Sequence, residues 1–91
     1  MEEKTAQALT AARKAGFDVM EKYFEYLRVQ FDEDATLTKK DEERCETMEI
    51  VSEYSNLVRN VILLAEALDL FCSVYPTGNG NQMCVYISYY K

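Results

Sequence analysis

The sequence predicts an α+β fold dominated by helix, in the order α-α-β-β: an antiparallel two-helix hairpin followed by a C-terminal β-hairpin. Three observations carry that expectation. Phe17, Met20, Phe24, Leu27 and Phe31 recur with alternating three- and four-residue spacing, which places them on one face of a helix. The same spacing links Ile50, Tyr54, Leu57, Val61, Leu64, Leu68 and Phe71. After Asp69 the apolar period becomes two, around the turn-rich segment Pro76-Thr77-Gly78-Asn79-Gly80-Asn81.

The first helix is expected over residues 4–32, a stretch with one glycine and no proline. Ala6, Leu9 and Ala12 extend its apolar face in smaller side chains. Gly16 lies on the same side, and glycine costs about 1 kcal/mol of helix propensity relative to alanine. Close approach of another helix is its expected justification. A polar connection follows over residues 33–38, and Thr38 with Asp41 resembles an N-cap with an acidic residue in the first turn. The second helix is accordingly expected over residues 39–69.

Beside the main stripe of that helix, Val51, Val58, Ile62 and Ala65 form a second one, wider than a single antiparallel neighbour covers. These four are the expected oligomer interface, and the chain is expected to be a homodimer or higher oligomer. The β-hairpin is expected over residues 71–90. A type I′ turn centred on Asn79-Gly80 sets Val74 opposite Val85 and Cys72 opposite Ile87, so no Cys72–Cys84 disulfide is expected. Such a hairpin leaves free edges that invite strands from a second chain. With no internal repeat and no long linker, residues 1–91 are expected to be one domain.

Ten Lys and Arg against sixteen Asp and Glu give the 91-residue chain a net charge of −6. That balance argues against direct binding of nucleic acid or an anionic membrane and favours a protein partner with a basic surface. The Met-Glu-Glu-Lys start has no apolar run behind it, so no secretory signal is expected and the expected compartment is the cytoplasm. Three cysteines, an odd number, fit reduced thiols. The chain has no histidine, the commonest general base and a common zinc ligand. Cys45, Cys72 and Cys84 lack metal-ligand spacing, and the Gly78–Gly80 segment lacks the Lys-Ser/Thr of a phosphate loop. The acidic run near Asp32 lacks the spacing of a calcium loop. No catalytic residue, metal or cofactor is therefore expected.

Two features suit binding. On a helix over residues 39–69, Glu42, Glu46, Glu49 and Glu53 form one row, with successive carboxylates roughly 5–6 Å apart along the axis. That approximates the spacing of phosphates on a nucleic-acid strand, so the row is a candidate mimic for a Lys/Arg groove; Glu25, Asp32, Glu33 and Asp34 are expected to add charge from the first helix and the connection. The second feature is tyrosine, seven in all. If Val74, Val85 and Ile87 face the helices, then Tyr75, Tyr86 and Tyr90 fall on the other side of the hairpin, with Ser73, Cys84 and Ser88. The expected function is that of a small acidic inhibitor or adaptor, analogous in size and charge alone to the anti-defence (anti-CRISPR) proteins of phages and mobile elements. The alternative is a homo-oligomeric structural or regulatory protein, or an assembly that sequesters a small ligand.

Overall fold

The computed structural model describes residues 3–91, and its first element is the long helix expected from the spacing. Helix α1 (Glu3–Phe31) buries Gly16, Phe17, Met20, Phe24 and Leu27 on one face. A Cβ placed on Gly16 would meet Leu68 Cβ at 3.3 Å, so the glycine does allow the end of a second helix to come close. A helix of 29 residues is about 44 Å long, whereas a strand of eight spans about 27 Å. The first turns of α1 therefore run past the sheet, and their side chains are exposed.

Residues 36–52 correct the expected second helix. They form a β-hairpin, β1 (Thr36–Asp41) and β2 (Cys45–Ser52), with Leu37 opposite Ile50 and Lys39 opposite Met48. Along β2 the inward positions Met48, Ile50 and Ser52 are buried, the alternation of a strand with one face on the core. Thr36, Thr38, Thr47 and Val51 add β-branched side chains that suit a pleated backbone. The Glu42 N–H donates to the Cys45 carbonyl at 2.9 Å and closes the turn. Thr38 caps no helix; it pairs with Glu49. The apparent helical spacing Ile50, Tyr54, Leu57 crosses a strand end, a bend and a helix start.

Helix α2 is confined to Ser55–Ala67. Tyr54, the residue at its N-cap, makes no capping hydrogen bond with its own side chain. The chain is instead held one step earlier: the Ser52 hydroxyl donates to Asp32 Oδ2 at 2.7 Å and accepts the Tyr54 N–H at 3.0 Å. At the other end Asp69 takes a left-handed backbone (φ 57), and the Leu70 N–H closes on the Ala65 carbonyl at 3.0 Å. That is a Schellman-type stop with aspartate where glycine is usual. The expected interface stripe dissolves with the helix that carried it. Val58 and Ala65 are buried within the chain, Ile62 packs against the core, and Val51 lies on the opposite face of β2.

Strands β3 (Phe71–Pro76) and β4 (Met83–Tyr90) form the second hairpin in the expected register, Val74 opposite Val85 and Cys72 opposite Ile87. All three cysteines are free. The turn itself differs from a two-residue type I′ turn. Thr77 and Gln82 close a four-residue loop in which Gly78 (φ 90) and Gly80 (φ 56), not Asn79, take the left-handed region. Opening the turn symmetrically leaves the register unchanged.

The sheet order is β1-β2-β4-β3, antiparallel throughout, with Met48 opposite Ile87 and Ile50 opposite Val85 at its centre. The strands expected from a second chain thus come from this one. Both helices pack on the same face, where Phe17, Met20, Leu57 and Val61 meet Met48, Ile50, Val85, Ile87 and Tyr89. The Phe17 and Tyr89 rings stand 5.3 Å apart. The chain order is therefore α-β-β twice over, the halves meeting at β2 and β4, although the sequence shows no repeat. The fold is α+β with about 47% helix. Among the described residues no helix is long and apolar enough to cross a membrane.

Candidate protein-binding surfaces

The four glutamates expected in one row are dispersed by the strand. Glu46 points to the helix side of β2, where its carboxylate, 13% exposed, takes the Lys14 ammonium at 3.0 Å. Lys14 also reaches Asp18 at 3.1 Å and lies 5.9 Å from the Phe17 ring centroid. Hydrogen bonds to Glu46 and then Asp18 hold its ammonium above the ordinary lysine range. Glu49 points the other way, 3.8 Å from Lys40 on the open face of the sheet. Glu42 sits exposed in the β1–β2 turn, and Glu53 lies exposed between β2 and α2. A period of two sends residues 46 and 49 to opposite faces, whereas a helix would have aligned them.

Negative charge gathers instead at one end of the molecule. The α1–β1 connection carries Asp32, Glu33 and Asp34, and the Ser52 hydrogen bond draws the start of the β2–α2 connection, with Glu53, against it. Asp32 also accepts the Asp34 N–H at 3.1 Å. Phe31 and Tyr54 stack beside these carboxylates, ring centroids 5.5 Å apart, and both remain partly exposed. Among the described residues no cation forms an ion pair with Glu33, Asp34 or Glu53. Arg28 pairs with Glu25 at 2.6 Å and donates to the Glu33 backbone carbonyl at 3.0 Å, where the Glu33 charge also favours its protonated form, without an ion pair to the Glu33 carboxylate. Its guanidinium holds the Glu25 carboxyl below the usual range. The Asp-Glu-Asp run was visible in the sequence; Glu53 and the ring pair join it only because the β1–β2 hairpin folds back.

The third surface is the face of the sheet turned away from the helices. Tyr75, Tyr86 and Tyr90 lie there with Ser73, Cys84 and Ser88, as the alternation of the second hairpin predicts. Phe71 joins them, and the first hairpin widens the face with Thr36, Thr38, Lys40, Cys45, Thr47, Glu49 and Val51. Tyr75 meets Tyr86 edge to face at 5.6 Å, and Phe71 meets Tyr90 likewise at 5.2 Å. Phe71, Tyr75 and Tyr90 are each more than half exposed (57%, 53% and 60%). The adjoining Cys84 side chain raises the Tyr86 phenol above its ordinary range, with the nearby Glu49 charge adding to the effect. On the helix side, Val58, Ile62, Leu63 and Met83 line a groove between α2 and the start of β4.

No protein-family model matches the chain, and no curated protein matches it. The surfaces described carry carboxylates without ion-pair partners among the described residues and two sets of accessible aromatic rings. Among the described residues no group of three or more Cys, Asp or Glu is arranged to hold a metal ion.

Proposed function

We propose that this protein is a stoichiometric inhibitor or adaptor that occupies a basic surface of a protein partner, with the acidic end as its contact. The observation that supports this is the grouping of Asp32, Glu33, Asp34 and Glu53 around the exposed Phe31–Tyr54 stack in a chain of net charge −6. Carboxylates with no ion pair of their own attract Lys and Arg and speed encounter with a basic surface. The ring faces beside them can take a guanidinium or ammonium by cation–π attraction. A Lys/Arg groove built for a phosphate backbone is one such surface, as for inhibitors directed at nucleic-acid machinery.

The test is capture of the partner from the native host, followed by binding measurements at several salt concentrations. Replacing Glu33→Gln, Asp34→Asn and Glu53→Gln together is expected to weaken binding about tenfold or more at low salt, mainly by slowing association. Replacing Glu42→Gln and Glu43→Gln, in the turn at the far end of the β1–β2 hairpin, should leave affinity nearly unchanged. Equal affinity and salt response in the triple variant and the native chain would refute the proposal. A homo-oligomeric reading is favoured by a separate observation, the uncovered face of the sheet.

A further inference from the structure

The geometry points to a second copy of this chain as the occupant of the open face, the two sheets packing face to face around a two-fold axis. Size is the first reason. Four strands about 4.8 Å apart and six or more residues long make a patch of roughly 19 by 20 Å before side-chain relief is counted. Both copies together present roughly 760 Å² of projected area, which the relief of the projecting rings raises toward about 1,200 Å², the lower end of stable specific interfaces.

Charge is the second reason. The chain carries −6 overall, yet its open face holds one cation and one anion, Lys40 and Glu49, 3.8 Å apart. Two acidic copies repel least across a face whose own charge cancels. A two-fold axis lets each copy's lysine approach the other's glutamate, since an isologous contact repeats every pairing in both directions. A strongly basic partner would find little charge to answer on this face.

Shape is the third. Aligned sheets pack about 10 Å apart, a gap that projecting Tyr75, Tyr90 and Phe71 rings can fill. The strand edges suit association less well. The outer strand β1 carries Lys39 and Lys40, and the outer strand β3 ends in Pro76, both devices that discourage edge pairing. A face-to-face pair also leaves the acidic ends free at the margins of the sheets. The inference therefore stands apart from the proposed function, and a dimer would present two such ends.

The experiment is the molar mass of the full chain by light scattering and sedimentation from about 5 to 500 μM. The native chain should approach twice the 10.5 kDa chain mass, with little change on adding salt. Tyr75→Lys with Tyr90→Lys, and separately Ser73→Arg, should give monomers with an unaltered circular dichroism spectrum. Leu63→Lys, on the helix side, should remain a dimer, as should the triple variant at the acidic end. If the double lysine variant fails to fold, Ser73→Arg decides the matter. A native chain that stays monomeric overturns the proposal, as does a dimer that survives both face variants or dissociates on Leu63→Lys. If the native chain is monomeric and the face variants release the captured partner, the face belongs to that partner and not to a second copy.

Discussion

Ser52→Ala is expected to be among the costliest single-atom deletions in this protein. Ser52 is 2% exposed, and its hydroxyl is both the donor to Asp32 Oδ2 at 2.7 Å and the acceptor of the Tyr54 N–H at 3.0 Å. A hydrogen bond to a charged group contributes roughly 1.5–3 kcal/mol, and an amide left without its partner costs about 1–3 kcal/mol. Asp32 is only half-buried, so water recovers part of its loss, and the net expectation is about 2–3 kcal/mol. In a domain of this size each kcal/mol lowers the melting temperature by about 4–8 °C, so a fall of roughly 8–24 °C follows. Urea denaturation read by circular dichroism measures the change, and a double-mutant cycle with Asp32→Ala should return a coupling of about 1–2 kcal/mol. A loss below about 0.5 kcal/mol, or no coupling, would show that the hydroxyl does not anchor the two connections.

Three further outcomes are expected. Gly16→Ala should change stability by less than about 0.5 kcal/mol, since its helix-propensity gain is offset by the contact with Leu68, whereas Gly16→Val should cost about 1–3 kcal/mol in denaturant titration. Asp69→Gly should be more stable than Asp69→Ala by about 1 kcal/mol, because the left-handed backbone at this position penalises a Cβ; equal stabilities would contradict that. Stability should fall as pH rises above about 10, because burial raises the Tyr89 phenol, and carboxylate hydrogen bonds raise the Lys14 ammonium, above their unfolded values. Each therefore favours the folded state below its unfolded value and loses that contribution as pH climbs through its folded one. Tyr89→Phe should reduce the alkaline loss, read as the unfolding midpoint at pH 11 against that at pH 8.

The legible parts of this fold were those whose pattern had one interpretation. The face of α1 repeats through five large apolar residues, and the second hairpin alternates cleanly about a turn segment that contains two glycines. The first hairpin was hidden because both faces of β2 mix their chemistry. Glu46 and Ser52 sit among the inward residues Met48 and Ile50, while Val51 sits among the outward residues. Its turn, Glu42-Glu43-Arg44, contains none of the glycine or asparagine that marks a hairpin, and Glu and Lys favour helix locally. Tertiary pairing with β4 overrides that preference. The tyrosine side of the candidate surface followed from one well-read register. The acidic end depends on the first hairpin, whose helix-like local sequence hides it and which brings Glu53 back to Asp32 through Ser52.

The doubled α-β-β order has a kinetic consequence. Within each half the strands pair across turns of a few residues, so β1–β2 and β3–β4 form from local contacts. The ladder between β2 and β4 is different: Cys45 lies opposite Tyr90 and Ser52 opposite Met83, so closing it encloses α2 and β3 in the intervening loop. Loop-closure entropy must be overcome before that ladder contributes. Closure of that ladder is therefore the step expected to limit folding, and truncating Met48 or Ile50, which face Ile87 and Val85 across the seam, should slow refolding in stopped-flow measurements.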